Sequence, residues 1–543
     1  MPTLHWIGKE KVINHHRDVP YRVLEHKYGF DDEKGETTEP TNSQNKIIHG
    51  DNLEALKSLL PEYEGKIKCI YIDPPYNTGN EGWIYNDNVN HPKIKKWLGE
   101  VVGKEGDDLS RHDKWLCMMY PRIRLLQKLL AKDGLIFMSL DDNELENGLY
   151  LFNTIFGKKN KLACAPWLAE PSGGKEKTKL RNGHEYIIIY HNGDISSLTQ
   201  EVRSVGELNL KDKWGAYKKG RELRKWGGTS LREDRPGQWF PLKTPDGIEV
   251  YPYKNDGEEG HWRWGKNQKM KPIIKDPEQA HWELCSYDDG VTVNGETERW
   301  VPFEKIRNNK KMVGWATWLD SVGYNSDGTA TLKEIFGNKL FDTPKPVTLI
   351  QWLISLHEDE ESIVLDSFAG SGTTAQAVLN LNKEDNGNRK FILIEMEQYA
   401  EDITAERVKR VINGYGEGAK STDGTGGLFD FYELGMPLFD ENNLLNEKVD
   451  EGKIREYVWY SETKSAFSGL TKHPHLLGSK DGTSYYFYYK KESLTTLDHD
   501  FLETIEEKAE QYVIYADNCL LSKKFMQEHS IVFKKIPRDI SRF

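Results

Sequence analysis

The apolar run Ile67-Lys68-Cys69-Ile70-Tyr71-Ile72 stops at Asp73-Pro74-Pro75-Tyr76, and this stop restricts the fold more than any other feature of the chain. Two consecutive prolines lack backbone N–H groups and hold φ near about −65°, so the buried strand ends in a stiff, extended turn. Open α/β sheets place ligands at such carboxyl edges, which makes the turn a candidate site as well as a boundary.

Around this strand the chain alternates. Lys46-Ile47-Ile48-His49-Gly50 reads as a short strand, and Asp51-Asn52 can cap the helix after it, with Leu53, Leu56, Leu59 and Leu60 on its apolar face. A polar loop is expected from Asn77 to about Asp113. Helical periodicity follows over residues 114–130, Asp133-Gly134 is expected to stop it, and residues 135–140 and 186–190 read as strands. The alternation returns later as helix 348–356, strand 362–366, helix 373–381, strand 390–395 and helix 401–413. That pattern predicts an α/β fold with a doubly wound, parallel sheet.

Between about residues 196 and 338 the pattern disappears. Nine of the chain's 16 tryptophans fall there, with many Gly and Pro residues and a basic run from Lys211 to Lys225. At 543 residues, roughly three to four domains are expected. The divisions predicted are an N-terminal extension (1–45), two halves of the sheet (46–195 and 339–415), an inserted module (196–338) and a C-terminal α+β region (416–543).

The net charge of −12 excludes a uniformly basic nucleic-acid coat, so any such binding must use local patches. Five scattered cysteines, none in a C-x-x-C pair, suggest neither a disulfide framework nor a zinc site and fit a reducing cytoplasm. No metal is expected. No apolar run is long enough to span a bilayer, and Met1-Pro2-Thr3-Leu4-His5-Trp6 shows no secretory pattern.

The two glycine- and proline-marked turns suggest complementary chemistry. Asp73 can accept one hydrogen of an extruded adenine's exocyclic amine, and the Pro74 carbonyl the other, with Pro75 stiffening the turn. Two acceptors stabilise positive charge that develops on the nitrogen as it takes a methyl group. Tyr76 offers a stacking face worth roughly 1–3 kcal/mol for a base, while Tyr71, Asn77 and Thr78 flank the turn. Taken alone, the motif also suits an ordinary strand-ending turn. The second motif, Asp366-Ser367-Phe368-Ala369-Gly370-Ser371-Gly372-Thr373, follows an apolar strand and opens a helix. A glycine-rich turn can bind phosphate, but Asp366 and Phe368 replace the pyrophosphate pattern and no Lys follows the glycines. Glu395 ends the next strand, where an acidic residue bonds ribose hydroxyls or is simply solvated.

Together these residues resemble the DNA amino-methyltransferases that use S-adenosylmethionine, in the β arrangement of catalytic motif first and cofactor motif second. The acidic first residue of the catalytic turn favours N6-adenine. The chain is similar in particular to the modification (Mod) subunits of type III restriction–modification systems. That likeness runs through Trp6-Ile7-Gly8-Lys9-Glu10-Lys11, His49-Gly50-Asp51-Asn52-Leu53-Glu54-Ala55-Leu56, residues 71–88, Ser110-Arg111-His112-Asp113-Lys114-Trp115-Leu116, Asp141-Asp142-Asn143-Glu144, His184-Glu185-Tyr186, Pro344-Lys345-Pro346 and Phe533-Lys534-Lys535-Ile536-Pro537-Arg538-Asp539.

The resemblance implies a Rossmann-like methyltransferase sheet, a base-flipping adenine-N6 methyltransferase and S-adenosylmethionine as methyl donor. It implies that Asp51 reaches the cofactor adenine and that Lys345 and Pro346 line its methionine end, although Asp51 equally suits a helix cap and Lys345 an ordinary surface position. The insert becomes a target-recognition region for double-stranded DNA, with Lys211, Lys213, Lys218, Lys219, Arg221, Arg224 and Lys225 as phosphate contacts interleaved with Trp214, Tyr217 and Trp226. A solvated charged face over aromatic core is the alternative for any one of them. The family further implies a homodimer and a separate helicase–nuclease restriction subunit, since this chain has no Walker A pattern and no evident nuclease centre. Rival readings are a solitary regulatory methyltransferase, a DNA-recognition scaffold with lost catalysis, and an RNA or protein methyltransferase.

Overall fold

Ten strands among the described residues build one sheet: β1 (Arg22–Asp31), β2 (Gly35–Thr37), β3 (Lys46–His49), β4 (Ile67–Ile72), β5 (Leu130–Leu140), β6 (Lys161–Leu168), β7 (His184–His191), β8 (Ile363–Asp366), β9 (Lys390–Glu395) and β10 (Leu428–Pro437). The computed structural model describes residues 5–77, 111–173, 180–416, 418, 421–440, 442, 444–465, 467–469, 473–491 and 493–540. Thr78 and most of the expected loop up to residue 110 lie outside them. The chain packs as two units, residues 1–199 with 316–543 and residues 200–315.

The spatial order is β2-β1-β10-β3-β9-β8-β4-β5-β7-β6. From β10 to β5 every neighbour is parallel, and the two pairs at each edge are antiparallel. Helices α1 (Asn52–Tyr63), α2 (Arg111–Leu129), α3 (Val347–Ser355), α4 (Thr373–Asp385), α5 (Glu406–Asn413) and α6 (Glu451–Thr463) belong to the same unit. The near-continuous apolar runs of β4, β8 and β9 are explained by burial: Ile67, Ile70, Ile72, Leu365 and Ile392 are fully enclosed.

The connection out of β4 passes through α2 to β5 on one side, whereas that out of β8 passes through α4 to β9 on the other. Crossovers that diverge between adjacent strands leave a crevice at their carboxyl ends. β4 and β8 are those strands. Leu365 lies opposite Ile70 and Asp366 opposite Tyr71, so Asp73 and Phe368 each follow two residues beyond the last paired position.

Several elements differ from the sequence-based expectation. Helix α2 gives way to strand at Leu130, and Asp133-Gly134 fall inside β5, where the register against β4 shifts between Ile67 and Cys69. Lys68 holds Asp133 there at 2.5 Å. α4 continues to Asp385, beyond the expected end at residue 381. The expected N-terminal extension supplies β1 and β2, and the expected C-terminal region supplies β10, which pairs directly with β3. Tyr28 stacked on Phe431 at 5.1 Å helps join β1 to β10. Residues 316–338, expected in the insert, belong to the larger unit and include the helix Asn325–Phe336.

Residues beyond β10 form a second sheet, with Leu476–Lys480 antiparallel to Thr483–Phe487 and Gln511–Ala516 and Ile531–Lys535 added in parallel. Tyr457 of α6, Phe487 and Tyr515 join the main core.

The smaller unit is built differently. Its antiparallel sheet runs Ala280–Ser286, Glu298–Ile306, Gly215–Glu222 and Leu210–Asp212 in order. Leu223, Phe240, Leu242, Trp262, Met270 and Ala280 are among the residues of a core of its own. Strand Glu201–Ser204 pairs with Lys310–Val313, bringing the unit's two ends together. With its own core and closed ends, residues 200–315 expressed alone should unfold in one cooperative thermal transition followed by circular dichroism. A featureless melt would show that the unit depends on the rest of the chain.

Candidate active site

The turn after β4 is fixed from several sides. The indole of Trp115, fully buried on α2, donates to the Pro75 carbonyl at 2.9 Å. Asn77 adopts φ +58°, a left-handed conformation that Asn tolerates. Its side chain donates to Glu144 at 2.5 Å, His112 lies 2.8 Å from the same carboxylate oxygen, and Asn147 donates to the other. Among the described residues, no donor takes the carbonyl of Pro74, which is itself buried.

Asp73 lies in a compact charged cluster. The Tyr76 hydroxyl is 3.0 Å from Asp73 Oδ1 and 2.7 Å from Glu185 Oε2. Lys345 Nζ is 2.9 Å from Asp73 Oδ2 and 3.4 Å from Glu185 Oε2. Asn325 donates to the other oxygen of Glu185 at 3.1 Å. Burial raises the pKa of Asp73 against the opposing pull of Lys345, and Glu185 raises it further. Burial opposes charge on Lys345, but the two carboxylates outweigh it and hold its pKa above the ordinary lysine value. Tyr76, raised well above its usual range by burial and then by both carboxylates, keeps its proton. The Asp73 side chain is 25 % exposed, whereas Lys345 is 8 % exposed.

The loop after β8 is held by its own side chains. Asp366 accepts from the Phe368 N–H at 3.0 Å and from the Thr374 hydroxyl at 2.5 Å. Gly370 and Gly372 adopt φ of +53° and +80°, and a Cβ on Gly372 would lie 3.1 Å from the Thr404 carbonyl oxygen. Ala369 donates to the Ile394 carbonyl at 3.1 Å. Arg407 of α5 is fully buried behind this loop, donating to the Ser371 hydroxyl and the Thr373 hydroxyl at 2.8 Å each and to Gln376 at 2.9 Å. Burial lowers its pKa to about 9.

Three residues expected at the cofactor have other contacts here. Glu395 accepts from the Gly370 N–H at 2.7 Å through one oxygen and from Met396 and Glu397 through the other, so it braces the loop. Asp51 caps α1, accepting from Leu53 and Glu54, and lies 3.9 Å from Arg122. Lys345, expected at the methionine end, directs its ammonium to Asp73 while its carbonyl accepts from Thr373 at 3.4 Å. It thus links the two turns. Pro346 is buried as the residue preceding α3.

Sequence reasoning misses Glu185, Asn325, Glu144, Trp115 and Arg407 as site residues. A carboxylate just before the apolar run of a strand is the available signal for Glu185, in His184-Glu185-Tyr186.

In the smaller unit the basic cluster is largely committed internally. Arg224, with a side chain 3 % exposed, pairs with Glu222 at 2.8 Å and is therefore not a phosphate contact in this conformation. Lys213 pairs with Glu278, Lys219 with Glu283, and Lys218 donates to the Val205 carbonyl. Lys211 and Arg221 are exposed and Lys225 is half-buried, and the side chains of these three have no ion-pair or hydrogen-bond partner among the described residues.

Burial pushes Asp366 up to about 7 from an ordinary 3.8. The folded chain therefore holds this proton more tightly than the unfolded chain, and the stabilisation present below about pH 4 is lost as pH rises through about 7. Asp366→Asn can keep both hydrogen bonds without a charge, so its Tm should exceed that of the parent at pH 8 and approach it at pH 5. Equal Tm differences at both pH values would contradict this.

A family model described as DNA methylase matches residues 67–406. The chain is 33 % identical over 455 residues to the type III restriction–modification enzyme EcoPI Mod subunit of Escherichia phage P1, covering 77 % of this chain and 66 % of the relative. It is 32 % identical to the type II methyltransferase M.KpnI of Klebsiella pneumoniae, covering 68 % and 84 % respectively. It is 30 % identical to the EcoP15I Mod subunit of Escherichia coli, covering 74 % and 65 %. The chain thus spans just under two thirds of the length of these two Mod relatives.

Proposed function

The chain belongs to the DNA methylase family, and from that premise we propose that it methylates the N6 amine of adenine in DNA with S-adenosylmethionine as donor. The observation that carries this reading is the meeting of two turns: those after β4 and β8 open into one crevice and are tied across it by Lys345. The Pro74 carbonyl and the Asp73 carboxylate, adjacent at the strand end, suit an amine with two hydrogens.

The donor set fits a sulfonium cofactor better than a pyrophosphate. Asp73 and Glu185 in the crevice and Glu395 behind its loop are acidic groups, which favour a cation and repel phosphate. Phe368 and the backbone of Ala369 to Thr373, with Pro346 and Lys345, are the residues that would hold the cofactor. When bound, it supplies an electrophilic methyl group. Asp73 and the Pro74 carbonyl draw the amine's two hydrogens and stabilise the charge that develops on nitrogen. Tyr76, anchored by its hydroxyl to the carboxylates, offers the ring on which the extruded base stacks. Fixing these groups before the base arrives avoids reorganisation at the reacting centre.

The smaller unit serves as the target-recognition region, with Lys211, Arg221 and Lys225, of the expected contacts, the ones whose side chains have no partner among the described residues. The Mod relatives support a role as the modification subunit of a type III restriction–modification system, and our reading adds to it sequence recognition, a homodimer and a separate helicase–nuclease subunit. The 84 % coverage of M.KpnI supports the alternative of a methyltransferase that acts without such a partner.

In a labelled-methyl assay on DNA, Asp73→Ala should lower transfer at least roughly a hundredfold while cofactor affinity by calorimetry stays within about threefold. Substantial transfer by that variant would overturn the catalytic role of Asp73. A second expectation concerns pH. Transfer needs Asp73 ionised, Glu185 raises its pKa and Lys345 lowers it. The acidic limb of kcat should move to lower pH in Glu185→Gln and to higher pH in Lys345→Met, and shifts in the opposite directions would refute this electrostatic account.

A further inference from the structure

We infer that the smaller unit carries a nucleotide site on Trp226, where a base stacks on the indole and its phosphate meets Arg221 and Lys225. This rests on the DNA reading above and adds to it a second place, apart from the methylation crevice, where a single unstacked nucleotide is held.

The indole is held in place before any ligand arrives. Its ring nitrogen donates to Glu222 at 2.8 Å, and the Arg224 guanidinium lies 4.4 Å from its centroid. Arg224 is itself fixed by Glu222 and by Asn255 at 3.1 Å. Nevertheless Trp226 is 57 % exposed. A large aromatic ring that is braced by buried partners yet left open to solvent is a stacking platform rather than core.

The surroundings match a nucleotide. Trp226 lines a cavity of about 450 Å³ together with Arg221, Lys225, Arg263, Phe303 and Glu222. That volume lies within the roughly 300–1,000 Å³ of small-molecule sites. Arg263 Nη1 is buried without a hydrogen-bond partner among the described residues and lies 3.8 Å from Glu304, with its guanidinium 5.4 Å from the Trp264 ring centroid. The one carboxylate on the wall, Glu222, is already engaged by Arg224 and by Trp226. Three cations around an aromatic face favour a base that bears a phosphate. A second cavity of this unit, about 460 Å³, carries Asp212, Asp246 and Glu278 on its wall and is electrostatically unsuited to the same ligand.

A nucleotide within a DNA strand and a free nucleotide share this chemistry, and the test separates them. Full-length protein is titrated into a fluorescein-labelled single-stranded oligonucleotide and into its duplex, and AMP binding is measured by calorimetry. Trp226→Ala should weaken single-strand binding roughly tenfold at an unchanged salt slope, and Trp226→Phe should restore most of the affinity. Arg221→Gln with Lys225→Gln should reduce the slope of log Kd against log salt by about 0.7 for each phosphate no longer neutralised. A parallel drop in AMP affinity would mark a general nucleotide site, and a drop confined to the oligonucleotides a strand-specific one. If Trp226→Ala binds strand and AMP as tightly as the parent, or if the parent binds neither, the site does not exist. Methyl transfer measured on the same preparations keeps the outcomes apart: intact transfer with an indifferent Trp226 removes only the pocket, and absent transfer with a sensitive Trp226 removes only the methylase reading.

Discussion

The parallel pairing of β4 with β8 is the constraint on which the rest of this structure depends. Asp366 lies opposite Tyr71, and from that register the chain leaves each strand toward opposite sides of the sheet. Had the crossovers run the same way, helices would fill the space above the strand ends. Their divergence leaves a crevice in which Asp73 and the loop of Phe368 to Gly372 come together although nearly three hundred residues separate them in sequence.

Inside that crevice the central tension is electrostatic. Two carboxylates, one ammonium and one phenol occupy a space where all contacts are 3.4 Å or shorter. Desolvation of so many polar groups is tolerated because each has a partner. The same arrangement gives Lys345 two anions to choose between. On the proposed reading, Lys345 at Asp73 competes with an incoming amine for Oδ2, and Glu185, 3.4 Å from the same ammonium, is an alternative anchor. The glycine loop shows the complementary solution. Arg407 sits beneath it without a carboxylate partner among the described residues, bonding neutral oxygens, so it orders the loop through hydrogen bonds alone.

Much of this was legible in the sequence because it depends on local physics. The apolar run before Pro74-Pro75 and the helix cap at Asp51 are decided by neighbouring residues, and both sit where periodicity and capping rules put them. Pairings between distant segments were not legible. Nothing near Phe429 or Phe431 announces that β10 joins β3, because β10 is separated by a polar, glycine-rich stretch from the alternating region. Likewise Asp133-Gly134 has the composition of a helix stop but lies in an irregular stretch of β5, where Lys68 on the neighbouring strand supplies its partner. Within the site, the residues of the two turns stood out by type and spacing. Glu185 and Asn325 did not, since a carboxylate and an amide acquire meaning only from what the fold places beside them. The basic run erred in the other direction: charge was visible from composition, but the commitment of Arg224 to Glu222 was not.

The central claim is that one crevice serves both the methyl donor and the acceptor amine. A crystal structure of the chain with S-adenosylhomocysteine tests it most directly. The account requires the sulfur to lie between the Phe368 loop and Asp73, with Lys345 in contact with the ligand or with Glu185. A cofactor bound away from the ends of β4 and β8, with the Lys345–Asp73 pair undisturbed, would contradict it.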